Sequence, residues 1–215
     1  DKDPFALRRH ALGVIRMLVE KALPLDLRGA IALAVPAFGA AIVDPTPAVL
    51  DFIYERLTGT LREQGYSARE VDAVLSLRPA RLSDVTARLA AVRAFTALPE
   101  AEALAAANKR VGNILKKAEG AVDARVDTAL LKEPADAALS AALAAVKPTA
   151  DAAFDRGDYA TSLQALAALR DPVDAFFESV MVNAEDAALR ANRLGLLATL
   201  HTAMNRVADL SRLAS

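Results

Sequence analysis

The chain has 215 residues, with 26 Lys and Arg against 27 Asp and Glu, 54% hydrophobic residues, 5% aromatic residues and no cysteine. That length can bury one large core or two small ones, whereas the lack of cysteine excludes a disulfide framework, a thiol nucleophile and a cysteine metal site. A net charge of −1 argues against a polycationic coat for nucleic acid, and no apolar run reaches the roughly 18 to 20 residues that a membrane span requires. Punctuation then predicts helices in chain order. Asp3 before Pro4 reads as an N-cap with proline at the first helical position, followed by Phe5, Leu12, Ile15 and Leu18-Val19 at helical spacing up to Pro24. A short helix is expected after Asp26. Asp44-Pro45-Thr46-Pro47 opens a third with Leu50, Ile53-Tyr54, Leu57 and Leu61, stopped by Gly65.

Ser67-Ala68-Arg69-Glu70 fits a capping box, in which hydroxyl and carboxylate satisfy free amides of the first turn, and it starts a helix with Val71, Val74 and Leu75. Pro79 and Ser83 separate this from a helix through Val85, Leu89 and Val92, and a boundary is expected near residues 93–99. The next helix is read from Pro99 to Glu119. Glu133-Pro134, Pro148, Gly157-Asp158 and Asp171-Pro172 mark later helix ends or kinks, and a last and longest helix is expected from about Asp186 to Leu213. Residues 157–169 look like half a tetratricopeptide unit, but a single copy cannot bury a repeat core. No alternating strand pattern bounded by turn dipeptides occurs, so the fold class is all-α.

Charge is unevenly distributed. Residues 1–118 carry 17 Lys and Arg against 13 Asp and Glu, and residues 119–215 carry 9 against 14, a split that favours a localised anion-binding patch. On the helix from Pro99 to Glu119, at about 100° per residue, Leu104, Ala107, Val111, Ile114 and Leu115 form an apolar stripe. Lys109, Arg110, Asn113, Lys116 and Lys117 share the opposite side. Cations attract phosphates and an amide can read base edges, so this face suits an RNA loop; the plain alternative is a solvated face whose lysines complement the helix dipole. In the final helix Leu189, Leu196, Leu200, Met204 and Val207 define the apolar stripe. Arg193 lies beside that stripe and is expected to tie helices together through a carboxylate or carbonyl, while Arg190, at the margin, is open to RNA contact or packing.

Tyr54, Tyr66, Phe95, Tyr159, Phe176 and Phe177 could stack on bases, but most read as core, and Phe176 and Phe177 cannot both face one way. Neither His10 nor His201 has a companion at metal-ligand or catalytic spacing, and the nine glycines form no phosphate-cradling loop. No nucleophile or acid-base pair emerges, so the expectation is no catalytic residue, no metal and no cofactor in this chain.

Four segments carry a family resemblance. They are Asp3-Pro4-Phe5-Ala6-Leu7-Arg8-Arg9 with Gly13, Ile15 and Arg16; Glu63-Gln64-Gly65-Tyr66 with Ala73-Val74-Leu75; Ala106-Ala107-Asn108-Lys109-Arg110-Val111 with Asn113-Ile114-Leu115; and Phe176-Phe177 to Val182 followed by Ala187 to Leu197 and Arg206 to Leu210. In order and rough spacing the chain resembles the C-terminal region of the bacterial glycyl-tRNA synthetase β subunit, ending in a DALR-type anticodon-binding bundle also found in arginyl-tRNA synthetases. The resemblance implies a helical linker module over residues 1–95, joining the β-subunit body, and a DALR-type bundle over 96–215. The absence of an initiator Met and of any export leader fits a cytoplasmic piece of a longer polypeptide. The resemblance also implies contact between glycine tRNA and Lys109, Arg110, Asn113, Lys116, Lys117 and Arg190, with Arg193 structural. ATP would be used by the α subunit, and the implied partners are that subunit and the remainder of β, without membrane or DNA. The alternatives are a helical subunit-interaction module without RNA contact and an arginyl-type anticodon-binding bundle.

Overall fold

The computed structural model describes Asp3 and residues 5–214, and among these every regular element is helical; the sole β feature is an isolated antiparallel bridge between Asp26 and Arg81. No helix among the described residues is long and apolar enough to cross a membrane. The chain forms two compact units, residues 1–89 and 90–215. The division falls within α5 (Val85–Thr96), six residues before the 95/96 boundary expected from sequence.

The first unit contains α1 (Leu7–Glu20), α2 (Leu27–Ala34), α3 (Thr46–Glu63) and α4 (Ala68–Leu75). Its core joins Ile15 and Leu18 of α1 to Ile53, Leu57 and Leu61 of α3 and Val71 and Val74 of α4, all buried. Capping sets the register of these helices. The Asp26 carboxylate accepts the Gly29 amide, the Asp44 carboxylate accepts the Thr46 amide at 2.9 Å, and Ser67 and Glu70 complete the capping box at 3.2 and 2.7 Å. The connection after α4 is tied back by the Leu27 amide on the Ala80 carbonyl and by the Tyr54 hydroxyl, which donates to the Pro79 carbonyl at 2.7 Å.

α1 departs from the sequence reading at both ends. The helix starts at Leu7, because Ala6 adopts a left-handed conformation with φ of 52°; Asp3 serves its first turn from outside, accepting the Leu7 and Arg8 amides at 2.8 and 2.9 Å. Pro4, assigned to the first helical position, lies outside the described residues. The other end comes at Glu20 rather than near Pro24, since Ala22 is again left-handed, with φ of 49°.

The second unit contains α6 (Ala101–Lys117), α7 (Pro134–Asp155), α8 (Tyr159–Ala165), α9 (Arg170–Ser179) and α10 (Ala187–Met204). Phe176, Leu139, Leu163, Leu166, Leu169, Leu196 and Leu200 form its core. α7 runs through Pro148, although an interior proline costs about 3 kcal/mol in an isolated helix. Leu139 and Leu143 before it and Ala150 and Ala153 after it are all buried, so packing on both sides holds the helix together. Pro172 lies in the first turn of α9, where its missing amide has no partner to lose.

The last helix differs from expectation. α10 stops at Met204 and is shorter than α7, which is the longest helix of the described chain. Asn205 causes the stop: its amide donates to the His201 carbonyl at 2.7 Å and its carbonyl accepts the Leu210 amide at 3.1 Å. These bonds turn the chain into a 3-10 turn at Leu210–Leu213, capped by Asp209 and packed on α6. Nothing in the periodicity signals that bend, because Val207 and Leu210 remain apolar and are buried after it.

Candidate functional site

Lys109, Arg110, Asn113, Lys116 and Lys117 lie on the outer side of α6, while Leu104, Ala105, Asn108 and Val111 are buried on its inner side. At about 100° per residue the five outward groups fall within roughly one third of a turn, so the helix presents one continuous basic strip. Lysine ammoniums at its end also lie beside the carboxyl end of the helix dipole, which favours cations. The strip borders a shallow groove of about 390 Å³ lined by Lys109, Arg110, Asn113 and Lys117.

Arg110 has an aromatic partner. Its guanidinium lies over the Phe177 ring of α9, 4.1 Å from the centroid, a distance at which the ring face attracts the cation. Phe176 is fully buried and touches Phe177 edge-on at 5.5 Å. Thus one phenylalanine of the pair belongs to the core and the other remains half-exposed under Arg110. Asp174 and Glu178 stand around the same contact.

Arg190 meets the strip at its far end. Lys117 of α6 and Arg190 of α10 line one cleft of about 650 Å³, together with Ile114, Glu119, Asn183 and Leu194. Two cations and an amide, with one carboxylate among them, make a polar concavity fitted to a phosphate or a base edge. Arg190 is half-buried, and its guanidinium donates to the carbonyls of Ala184 at 2.6 Å and Glu185 at 3.3 Å. It therefore lines the cleft and holds the loop that enters α10.

Arg193 points elsewhere. Its side chain is buried and donates to the Asp136 carboxylate of α7 at 3.3 Å and to the Met181 carbonyl at 2.8 Å, with Glu133 at 3.9 Å. Asp136 is completely buried and also accepts the Glu133 amide. The pair joins α7, the α9–α10 connection and α10.

A second device, which the apolar pattern does not show, positions the end of the basic strip. Residues 118–127 run as an irregular strap from α6 across α10. Asn192 grips it on both sides of one residue, accepting the Asp127 amide at 2.7 Å and donating to the Asp127 carbonyl at 3.0 Å, while the Thr199 hydroxyl donates to the Ala124 carbonyl at 3.2 Å. Between them Gly195 leaves room for the strap backbone. The i, i+3, i+7 spacing of Asn192, Gly195 and Thr199 on one helix face is the signal that could have revealed this contact. A further polar pair joins buried Asn108 to half-buried Asn205, which exchange side-chain amide hydrogen bonds at 2.8 and 3.1 Å.

His10 is exposed on α1, and His201 is half-buried on α10. Burial and the positive charge of Lys116 hold the His201 imidazole below its ordinary pKa against the opposing pull of Asp209. Among the described residues no group of His, Cys, Asp and Glu could hold a metal ion.

Comparison with known proteins gives two family matches. Residues 1–76 match a family described as glycyl-tRNA synthetase beta subunit, and residues 104–210 match the DALR anticodon binding domain. The second match starts on α6 and ends at the Leu210 turn, so it spans the basic strip, the strap and the Arg193 pair. Over its whole length the chain is 73% identical to the glycine–tRNA ligase beta subunit of Leptothrix cholodnii, 71% to that of Delftia acidovorans and 69% to that of Polaromonas naphthalenivorans. In each case it spans 30% of the relative's length.

Proposed function

From the chain's membership of the glycyl-tRNA synthetase β-subunit family, carrying a DALR anticodon-binding domain, we propose that its second unit holds the anticodon arm of glycine tRNA. The observation that carries this reading is the exposed α6 strip leading into the Lys117–Arg190 cleft within the matched domain. Lys109, Lys116 and Lys117 contribute phosphate contacts, Asn113 offers a donor and an acceptor to base edges, and Arg190 recognises the loop where the cleft closes. Glycine activation with ATP takes place on the α subunit in the cytoplasm. The role of this region is selection and positioning: a wrong loop leaves polar groups unpaired, and a correct one aligns the distant acceptor end.

The first unit supports a further role as the joint to the remainder of the β subunit. Leu33, Phe38 and Val43 are 84%, 60% and 91% exposed, and apolar side chains that open to water in one region mark a protein-contact surface.

Binding of fluorescent glycine tRNA at several salt concentrations tests the anticodon reading, beside the same tRNA with its two central anticodon cytosines replaced and an unrelated tRNA. Weaker binding of both controls is expected, with affinity falling as salt rises. Equal binding of all three would reduce the strip to unselective phosphate contact, and no binding by the intact subunit would remove the reading.

A further inference from the structure

The anticodon reading leaves the arginines of α1 without a task. Arg8, Arg9 and Arg16 are exposed and line a surface cleft of about 600 Å³ in the first unit, with Leu12 and Gly13 between them. Ion pairs in this unit engage Arg56, Arg78 and Arg81 with Glu55, Asp51 and Asp84. Among the described residues no ion pair engages Arg9 or Arg16, whereas the charge of Arg8 acts on the Asp3 carboxylate and helps to hold it below its ordinary pKa. Asp3 stands at the rim, its carboxylate bonded to the Leu7 and Arg8 amides, and Glu20 lies one turn beyond Arg16 on the same face. The cleft is thus bordered by three guanidinium groups and one carboxylate already engaged by backbone.

Its floor is open as well. A Cβ added at Gly13 would meet nothing within 4 Å, so a ligand can approach the helix backbone between Arg9 and Arg16. Those two residues are seven apart, about 10 Å along the helix axis at roughly 1.5 Å per residue. One small anion cannot bridge that length, whereas a polyanionic backbone presents successive phosphates to it. Guanidinium forks match phosphate oxygens two at a time.

We propose that this α1 cleft is a second phosphate-binding site, separate from the α6 strip, which takes the sugar-phosphate backbone of tRNA outside the anticodon stem-loop. It rests on the reading that the chain binds tRNA and extends that reading to the first unit. Because the arginines make phosphate contacts only, the site adds affinity without reading sequence.

The test uses the intact enzyme, with Arg9→Ala/Arg16→Ala and Gly13→Glu variants, on full-length glycine tRNA and on its isolated anticodon stem-loop. Gly13→Glu puts a negative charge into open space and replaces a helical glycine, so it preserves folding. Both variants are expected to weaken full-length tRNA binding about 10-fold at low salt, and the double alanine variant to flatten the salt dependence by an amount equal to roughly one to two neutralised phosphates. Stem-loop binding should not change, and Arg9→Lys/Arg16→Lys should recover most of the loss. Unchanged binding of full-length tRNA by both variants would overturn the proposal. Equal weakening of tRNA and stem-loop would also overturn it, as would dissociation of subunits in sedimentation, which would assign the arginines to a protein contact. If wild-type enzyme ignores anticodon changes yet the arginine variants still lose full-length tRNA, the anticodon reading fails while the α1 site stands.

Discussion

Gly195 of α10 faces the carbonyl of Arg125 so closely that a Cβ there would stand 2.3 Å from its oxygen and 2.9 Å from that of Asp123. The obstacle is backbone, held by Asn192 and Thr199 on either side, and cannot swing aside as a side chain could. Alanine would gain up to about 1 kcal/mol of helix propensity but would have to displace the strap, at about 1–3 kcal/mol for an overpacked site. Gly195→Ala is therefore expected to lower the stability of the second unit and expose residues 118–127 to proteolysis. Gly112→Ala is the control. Its Cβ would meet only the His201 ring, with Nε2 at 3.5 Å, so thermal unfolding should show it neutral or slightly stabilised.

Arg193 and Asp136 make a second expectation definite. Both are buried, and removing one partner strands the other's charge, which costs about 3–5 kcal/mol. Arg193→Met should fall in that range by denaturant unfolding. Combining it with Asp136→Leu should cost much less than the sum of the single changes, because the stranded charge is gone. A double variant that is simply additive would show that Arg193 acts through the Met181 carbonyl instead.

His201 sets a pH dependence. Burial and Lys116 hold its folded-state pKa below the ordinary value of 6.5, so the unfolded chain takes up the proton first. Stability is then fully present above pH 6.5 and declines as pH falls from 6.5 toward the lower folded-state pKa. His201→Gln should remove this decline in unfolding curves recorded between about pH 7 and 5.

These expectations depend on features of unequal visibility in the sequence. The capping box at Ser67 was legible, as were the helix boundaries at Asp26, Asp44 and Asp158, because at each a side chain bonds a nearby amide. The α6 strip was legible because helical periodicity alone sorts Lys109 and Lys117 from Leu104 and Val111. The end of α10 was not, since Asn205 turns the chain through partners on α6 and beyond the bend at Leu210, and buried Val207 continues the apolar pattern past it. Nor was the strap, because Asn192 and Thr199 bind backbone carbonyls and an amide, which leave no side-chain signature at residues 118–127. At Arg190 a wheel position alone could not separate loop anchoring from cleft lining, and the guanidinium takes part in both.

That dual position of Arg190 gives the sharpest contrast within the site. Lys116→Ala and Lys117→Ala remove surface charges, so each should leave unfolding within about 0.5 kcal/mol of wild type. Together they should weaken tRNA binding and reduce the salt slope by roughly 0.7–0.9 for each phosphate left without its cation. Arg190→Ala also removes the donors to the Ala184 and Glu185 carbonyls, so it should lower stability by about 0.5–1.5 kcal/mol, because water replaces those hydrogen bonds, as well as reduce affinity. Arg190→Lys keeps the charge but not the fork. It should restore much of the salt-dependent affinity without fully restoring the loop, read as hydrogen exchange at residues 181–186. If instead lysine restored both properties, the guanidinium geometry would be irrelevant to the site and charge alone would account for Arg190.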